Sequence, residues 1–296
     1  MIEKIRGVLA PAVTPFDDEK LSMPKLEAMG EFLANSPLKG LFVLGSNGEA
    51  AHMDDTESLA VLRAYKKTMP KGKTLMAGIP RQSAYVTIEF GKRVEEIGVD
   101  CFSVLTPHYF VSQMTDAAFI DYYTRVADAL STPILLYNVP KFAAGVTLSE
   151  TVIRELSRHP NIIGMKDSSV GNIQTYLKYK SDSFAVLSGT INTLFEGLEG
   201  GAYGGIVSMA NYLPEATSEV CSLYWSGDKA GSKALADRLV EMNKKGAGKL
   251  GIPGTKAALR VLGVDAGEGR SPLLPCTPEQ VESIRNTFIE YGYLHA

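Results

Sequence analysis

The sequence predicts an α/β protein, a (β/α)8 TIM barrel followed by a C-terminal helical extension. Three observations predict it. Eight short apolar runs recur through residues 7–208, and each is too short for a helix. Segments of helical period separate them. No glycine-rich dinucleotide fingerprint follows the first run, which weakens the rival reading of an open, doubly wound sheet. Strands that are apolar on both faces belong in a parallel sheet covered on both sides, and eight of them with helices between close into a barrel.

The runs are Gly7 to Val13, Gly40 to Leu44, Thr74 to Gly78, Cys101 to Leu105, Pro133 to Tyr137, Asn161 to Lys166, Phe184 to Ser188 and Gly204 to Ser208. Between the third and fourth, Val86, Phe90, Val94 and Ile97 fall on one helical face, with Gly98 as a stop. Phe119, Tyr122, Val126 and Leu130 do the same in the next helix. The eighth helix is expected near Leu213 to Tyr224. Three further helical patterns follow, near Asp228 to Lys245, Thr255 to Leu262 and Thr277 to Tyr291. The last opens on Thr277-Pro278-Glu279-Gln280, a cap, a proline at the first helical position and a glutamine three residues after the cap. The expected division is a barrel over 1–225 and an extension over 226–296.

Bulk properties narrow the function classes. Of 296 residues, 45% are hydrophobic and 21% charged, ordinary for a globular chain. No apolar run reaches the ~18 residues of a membrane span, and the N-terminus lacks the apolar core of a secretory signal. A net charge of -3 gives no electrostatic footprint for nucleic acid. Cys101, Cys221 and Cys276 are spaced for neither a disulfide framework nor a zinc site. They read as reduced thiols of a cytoplasmic protein, with Cys101 packed in a strand.

In a barrel of this type, reactive groups gather at the C-terminal strand ends. Four polar clusters fall there: Gly45-Ser46-Asn47-Gly48-Glu49, Thr106-Pro107-His108-Tyr109, Tyr137-Asn138-Val139-Pro140 and Lys166. A free lysine has a pKa of about 10.4, so roughly one amine in 2,500 is neutral at pH 7. Removal from water disfavours the charged form and frees the amine to attack a carbonyl. Tyr137, at the end of the adjacent strand, can shuttle the proton that dehydration of the carbinolamine requires. The turn Gly45 to Gly48 can grip a carboxylate through successive amides. Each feature also has a plain structural reading. A lysine after an apolar strand is more often a surface residue ending it, and a strand-terminal tyrosine is usually core. Gly45 to Gly48 alone is a turn, and His108 can cap Thr106-Pro107. His52, His159 and His295 are scattered, and no metal site is expected. The shared placement at one barrel end favours chemistry.

The four clusters, in order and approximate spacing, resemble the dihydrodipicolinate synthase / N-acetylneuraminate lyase family, from Thr14-Pro15-Phe16 through Gly204-Gly205-Ile206 to the C-terminal helices. The resemblance implies a Schiff base on Lys166 with a pyruvate-type 2-oxo acid and proton transfer by Tyr137. It implies that Ser46 relays protons between Tyr137 and a second tyrosine, matched by Tyr109, that a neighbouring subunit donates. Ser46 and Asn47 would hold the 2-oxo acid carboxylate, the Ile206 carbonyl would face the site, and Gly189 and Ser208 would border the substrate. A homotetramer built as a dimer of dimers and the lack of any metal or organic cofactor are also implied.

The departures bear on the subgroup. Where dihydrodipicolinate synthases carry an arginine after Tyr-Asn-Val-Pro, this chain continues Lys141-Phe142-Ala143-Ala144-Gly145. Lys141 is a cation without the bidentate fork. Where N-acetylneuraminate lyases carry an acidic pair after the seventh strand, Gly189 is followed by Thr190, Ile191 and Asn192. Ser208 does match a sugar-contacting serine of those lyases. The Gly-Ser-Asn-Gly-Glu turn and the Ala-Ala-Gly loop look more like the 4-hydroxy-2-oxoglutarate and 2-keto-3-deoxy-sugar-acid aldolases. The expectation is a carbon–carbon lyase acting on such a 2-oxo acid, its other product or partner an aldehyde. Condensation of pyruvate with aspartate semialdehyde, a carbon–oxygen lyase activity, is the alternative, and N-acetylneuraminate cleavage a second. A phosphate-binding isomerase would need a glycine-rich grip after strands seven and eight. A non-catalytic keto-acid sensor would have no use for a proton relay.

Overall fold

The computed structural model describes residues 2–295. Eight parallel strands close into a barrel: β1 Gly7–Pro11, β2 Gly40–Val43, β3 Thr74–Ile79, β4 Cys101–Leu105, β5 Ile134–Asn138, β6 Ile162–Asp167, β7 Ala185–Ser188 and β8 Gly204–Ile206. Each strand pairs with its sequence neighbour, and β8 closes on β1 through Gly7↔Gly204 and Leu9↔Ile206. The outer ring is α1 Met23–Ala34, α2 Asp55–Thr68, α3 Ala84–Glu95, α4 Asp116–Ala129, α5 Glu150–Leu156, α6 Ile173–Leu177, α7 Leu194–Glu199 and α8 Pro214–Ser226. The extension adds α9 Lys229–Lys245, α10 Gly251–Val261 and α11 Pro278–Glu290.

Strand alternation divides the core in two. In β4, Cys101 and Leu105 join an inner cluster with Leu9, Phe42, Met76 and Leu135. Phe102 and Val104 turn outward to an outer cluster between sheet and helices. Ile5, just before β1, closes the interior from the N-terminal side. The outer cluster runs on into the extension through Leu239, Leu259 and Phe288. Hence α9 to α11 share the barrel's outer core.

Some local expectations need correction. The first and last strands are shorter than their apolar runs, since Ala12, Val13 and Val207 lie beyond the ladder. Ser208 opens a 3-10 turn rather than ending a strand. Val86 does not share the buried face of Phe90 and Val94; it is 43% exposed, and Thr87 takes the inner position, its hydroxyl 2.9 Å from that of Tyr122. Helix α10 begins four residues before the expected Thr255, taking Gly251, Pro253 and Gly254 into its first turn. The Thr277 capping box forms with both reciprocal hydrogen bonds.

One irregularity orients the site. Ile134 pairs with Ile162, but Leu135 pairs with Gly164, so β6 carries an extra residue at Ile163. Side chains alternate with period two, so an inserted residue reverses the facing of all that follow. Ile163 faces inward, Met165 outward, and Lys166 stands in register with the inward-facing Tyr137. Without the bulge, Lys166 would point into the helical layer.

Candidate active site

Lys166 is the penultimate residue of β6, on the inner face, and is 3% exposed. Its Nζ lies 3.3 Å from the Tyr137 Oη, 4.3 Å from the Tyr137 ring centroid and 4.9 Å from that of Phe42. Phe42 and Tyr137 meet edge to face at 5.8 Å. Among the described residues, no carboxylate oxygen comes within 4.0 Å of this ammonium. A buried amine beside one phenol is placed to act as a nucleophile towards a carbonyl, with a proton carrier at hand. Beyond Tyr137, the Ser46 Oγ is 3.2 Å from the same phenol oxygen, making a chain Lys166–Tyr137–Ser46.

The turn that carries Ser46 has a local cause. Leu44 adopts a left-handed backbone, φ 61°, which is strained for a bulky residue. Its carbonyl presses against Gly78, where a Cβ would sit 2.1 Å from the Leu44 oxygen. Gly45 packs over Phe42, which would lie 2.4 Å from an added Cβ. The Gly48 and Glu49 amides bond back to the Gly45 and Ser46 carbonyls, and Thr14 donates its hydroxyl to the Gly48 carbonyl at 2.7 Å. The Ser46 and Asn47 amides have no partner among the described residues. Two adjacent free N–H groups beside a buried lysine fit a carboxylate.

Ser208 donates to the Asn47 Oδ1 at 2.9 Å, with its Oγ 3.1 Å from the Thr255 hydroxyl of α10. Ile206 lies on the inner face at the end of β8. Gly189 has a backbone explanation: its N–H donates to the Asp167 carbonyl at 2.7 Å, and a Cβ there would lie 1.9 Å from the Ser168 Oγ. Tyr109 stands apart from the other candidates within the chain. It is 77% exposed, its amide bonded to the Gln82 Oε1 at 3.0 Å and its ring packed edge-on against the exposed Phe110. His108 caps its turn, Nδ1 lying 2.9 Å from the Thr106 carbonyl. Lys141 is exposed, its amine 5.7 Å from the Phe142 ring.

Sequence reasoning missed two features. Asp167, wholly buried behind Lys166, accepts from the Asn138 amide at 2.8 Å and the Ser169 hydroxyl at 2.7 Å, and burial raises its pKa above the ordinary 3.8. The Asn138–Asp167 bond ties the ends of β5 and β6 together, and the Asn138 Oδ1 in turn accepts from the Leu148 amide of the loop before α5. The second is Lys256 of α10, buried against Glu49 at 2.7 Å and donating to the Thr14 and Glu268 carbonyls. A lysine and glutamate in unrelated segments give no pairing signal in a single sequence. The described residues contain no cluster suited to a metal ion and no helix long and apolar enough to cross a membrane. All three cysteines are free.

A barrel with a buried lysine, a phenol and a carboxylate turn at one end is the architecture of a Schiff-base aldolase. The chain belongs to the dihydrodipicolinate synthetase family, whose model matches residues 4–290. That is a family of class I aldolases, and the chain is a lyase of this general kind. It is 32% identical over 299 residues to the probable mitochondrial 4-hydroxy-2-oxoglutarate aldolase of Emericella nidulans, covering 97% of this chain and 94% of the relative. It is 26% identical over 288 residues to a 4-hydroxy-tetrahydrodipicolinate synthase of Acetivibrio thermocellus, covering 97% and 98%. The chloride-inhibited dihydrodipicolinate synthase of Acinetobacter baumannii, solved with pyruvate, superposes with a TM-score of 0.89 at 28% identity, over 98% of this chain and all of that one.

Proposed function

We propose that the protein cleaves a 4-hydroxy-2-oxo acid, or a 2-keto-3-deoxy sugar acid, through an imine on Lys166. The observation that carries this is the continuous chain from the buried Lys166 amine through the Tyr137 phenol to Ser46 at the barrel mouth. The neutral amine adds to the C2 carbonyl, and Tyr137 supplies the proton with which the carbinolamine oxygen leaves as water. The protonated imine then draws electrons. Deprotonated Tyr137 takes the C4 hydroxyl proton, the C3–C4 bond breaks, and its electron pair moves into the enamine as the aldehyde departs. C3 takes up a proton, and one water returns the 2-oxo acid and the free amine. The unpaired Ser46 and Asn47 amides hold the 2-oxo carboxylate, with the Ile206 carbonyl facing it and Gly189 and Ser208 at its border. No metal or organic cofactor enters these steps.

The exposed Tyr109–Phe110 pair suits insertion into a neighbouring subunit, where Tyr109 would extend the relay from Ser46 in a homotetramer. A cytoplasmic location completes the reading. The domain division at 225 is retained, with the extension serving the site through α10.

The second reading is condensation of pyruvate with aspartate semialdehyde. The name of the Acetivibrio relative favours it; the absence of an arginine after Pro140 and the outward position of Lys141 weigh against it. A substrate panel decides. With 4-hydroxy-2-oxo acids, pyruvate release coupled to lactate dehydrogenase is expected. Faster condensation of pyruvate with aspartate semialdehyde than any cleavage would overturn the first reading in favour of the second.

A further inference from the structure

A cavity of about 320 Å³ opens at the strand ends next to the Tyr137–Ser46 pair, on the side away from Lys166. Its walls are mostly apolar: Leu44, Ile79, Leu105, Phe142, Ile252 and Leu273. Among the described residues, no lysine or arginine lines it. The one carboxylate that reaches it, Glu49, is committed to Lys256 and to the Arg270 amide, and His52 leans on the same carboxylate. The other imidazole, His108, is turned to its own loop. A carboxylate entering this space would shed its hydration without a cation to replace it.

Of the neutral polar side chains in the lining, Ser46 and Tyr137 belong to the relay, the Gln82 Oε1 is taken by the His108 and Tyr109 amides, and Ser103 remains. It sits on β4 between the inward-facing Cys101 and Leu105, in register with Gly78 and Leu135, one step below the level of Tyr137. The residue is 1% exposed, lines the cavity, and its Oγ has no hydrogen-bond partner among the described residues. A buried hydroxyl left unpaired in a native site calls for an explanation, and a ligand atom supplies one.

We propose that the substrate's aldehyde-derived limb, beyond C4, is uncharged and largely apolar, such as an aromatic ring, and that Ser103 is a specificity-determining residue that hydrogen-bonds one acceptor on that limb. This rests on the Lys166 aldolase reading and narrows its substrate class to 4-hydroxy-2-oxo acids with an apolar limb, setting the polyhydroxylated sugar acids aside. In the synthetic direction the enamine carbon of pyruvate attacks the aldehyde carbon, the aldehyde oxygen takes the Tyr137 proton to become the C4 hydroxyl, and water releases the product. The limb itself undergoes no chemistry, so its recognition is a matter of pocket fit.

The test uses the full chain in its native assembly, with pyruvate and a series of aldehydes. These are benzaldehyde, 3- and 4-pyridinecarboxaldehyde, 2-methylpropanal, glyceraldehyde, glyoxylate and succinate semialdehyde. Aldol products are quantified by mass spectrometry, and borohydride trapping with pyruvate alone is run in parallel. The expected kcat/KM for the better aromatic aldehydes exceeds that for the carboxylate-bearing ones by about 100-fold or more. One pyridine isomer should be preferred over benzaldehyde, and Ser103→Ala should remove that preference while leaving benzaldehyde within about twofold. A carboxylate-bearing aldehyde that reacts as well as benzaldehyde, or no product from any apolar aldehyde, overturns the proposal when the pyruvate adduct still forms. Absence of the adduct instead overturns the aldolase reading beneath it. Apolar preference without a Ser103→Ala effect removes Ser103 from the account.

Discussion

The Lys256 Nζ lies 2.7 Å from the Glu49 Oε1, with both side chains wholly buried. This ion pair joins the C-terminal extension to the turn that carries Ser46 and Asn47. Burial alone would expel both charges, and it lowers the lysine pKa below 10.5 against the pull of Glu49. Removing one partner strands the other. Lys256→Ala is therefore expected to lower unfolding stability by about 3–5 kcal/mol. In the folded fraction the KM for the 2-oxo acid should rise. Urea denaturation and steady-state kinetics check both. A stable variant with unchanged KM would show that the pair does not hold the turn.

Tyr137 touches both the amine and the Ser46 hydroxyl. Tyr137→Phe keeps the ring against Phe42 but removes the proton carrier, and kcat should fall by about 10²–10⁴. Ser46→Ala should cost about tenfold, the loss of one hydrogen bond of roughly 1.4 kcal/mol. A Tyr137→Phe enzyme with wild-type kcat would remove Tyr137 from the chemistry.

The position of Tyr109, outside its own chain's site, leads to a complementation test. Tyr109→Phe should slow turnover without lowering thermal stability. Verified mixed oligomers of Tyr109→Phe and Lys166→Ala subunits should regain activity, because one site then receives a wild-type tyrosine and a wild-type lysine. No recovery in such oligomers would mean that the site is not shared.

Asp167 gives a pH signature. Its pKa is raised by burial, so between pH 3.8 and the raised value the folded chain keeps a proton that the unfolded chain has released. Its stabilising contribution is present below 3.8 and is lost as pH rises through the folded pKa, by about 1.4 kcal/mol for each unit of difference. Asp167→Asn lacks this dependence. Unfolding free energies of the two proteins from pH 3.5 to 7 should therefore shift in favour of the variant as pH rises; parallel profiles would contradict the assignment.

The barrel was legible because its strands are apolar on both faces and its helices are periodic, signals that a single sequence carries locally. Lys166, Tyr137 and Ser46 were legible because they punctuate strand ends. The bulge at Ile163 was not, since a glycine such as Gly164 inside a strand marks either a bulge or a close backbone approach without saying which, yet the bulge decides which way Lys166 points. Val86 misled because period alone does not say how wide the buried stripe is. The Glu49–Lys256 pair and the unpaired Ser103 hydroxyl depend on segments that meet only in the fold.

The central claim, an imine on Lys166, is tested most directly by reducing the protein with borohydride in the presence of pyruvate and mapping the product by peptide mass spectrometry. The account predicts one reduced pyruvate per chain, located on Lys166 and absent from folded Lys166→Ala. No adduct in folded wild-type protein, or an adduct on another lysine that persists in Lys166→Ala, would contradict it.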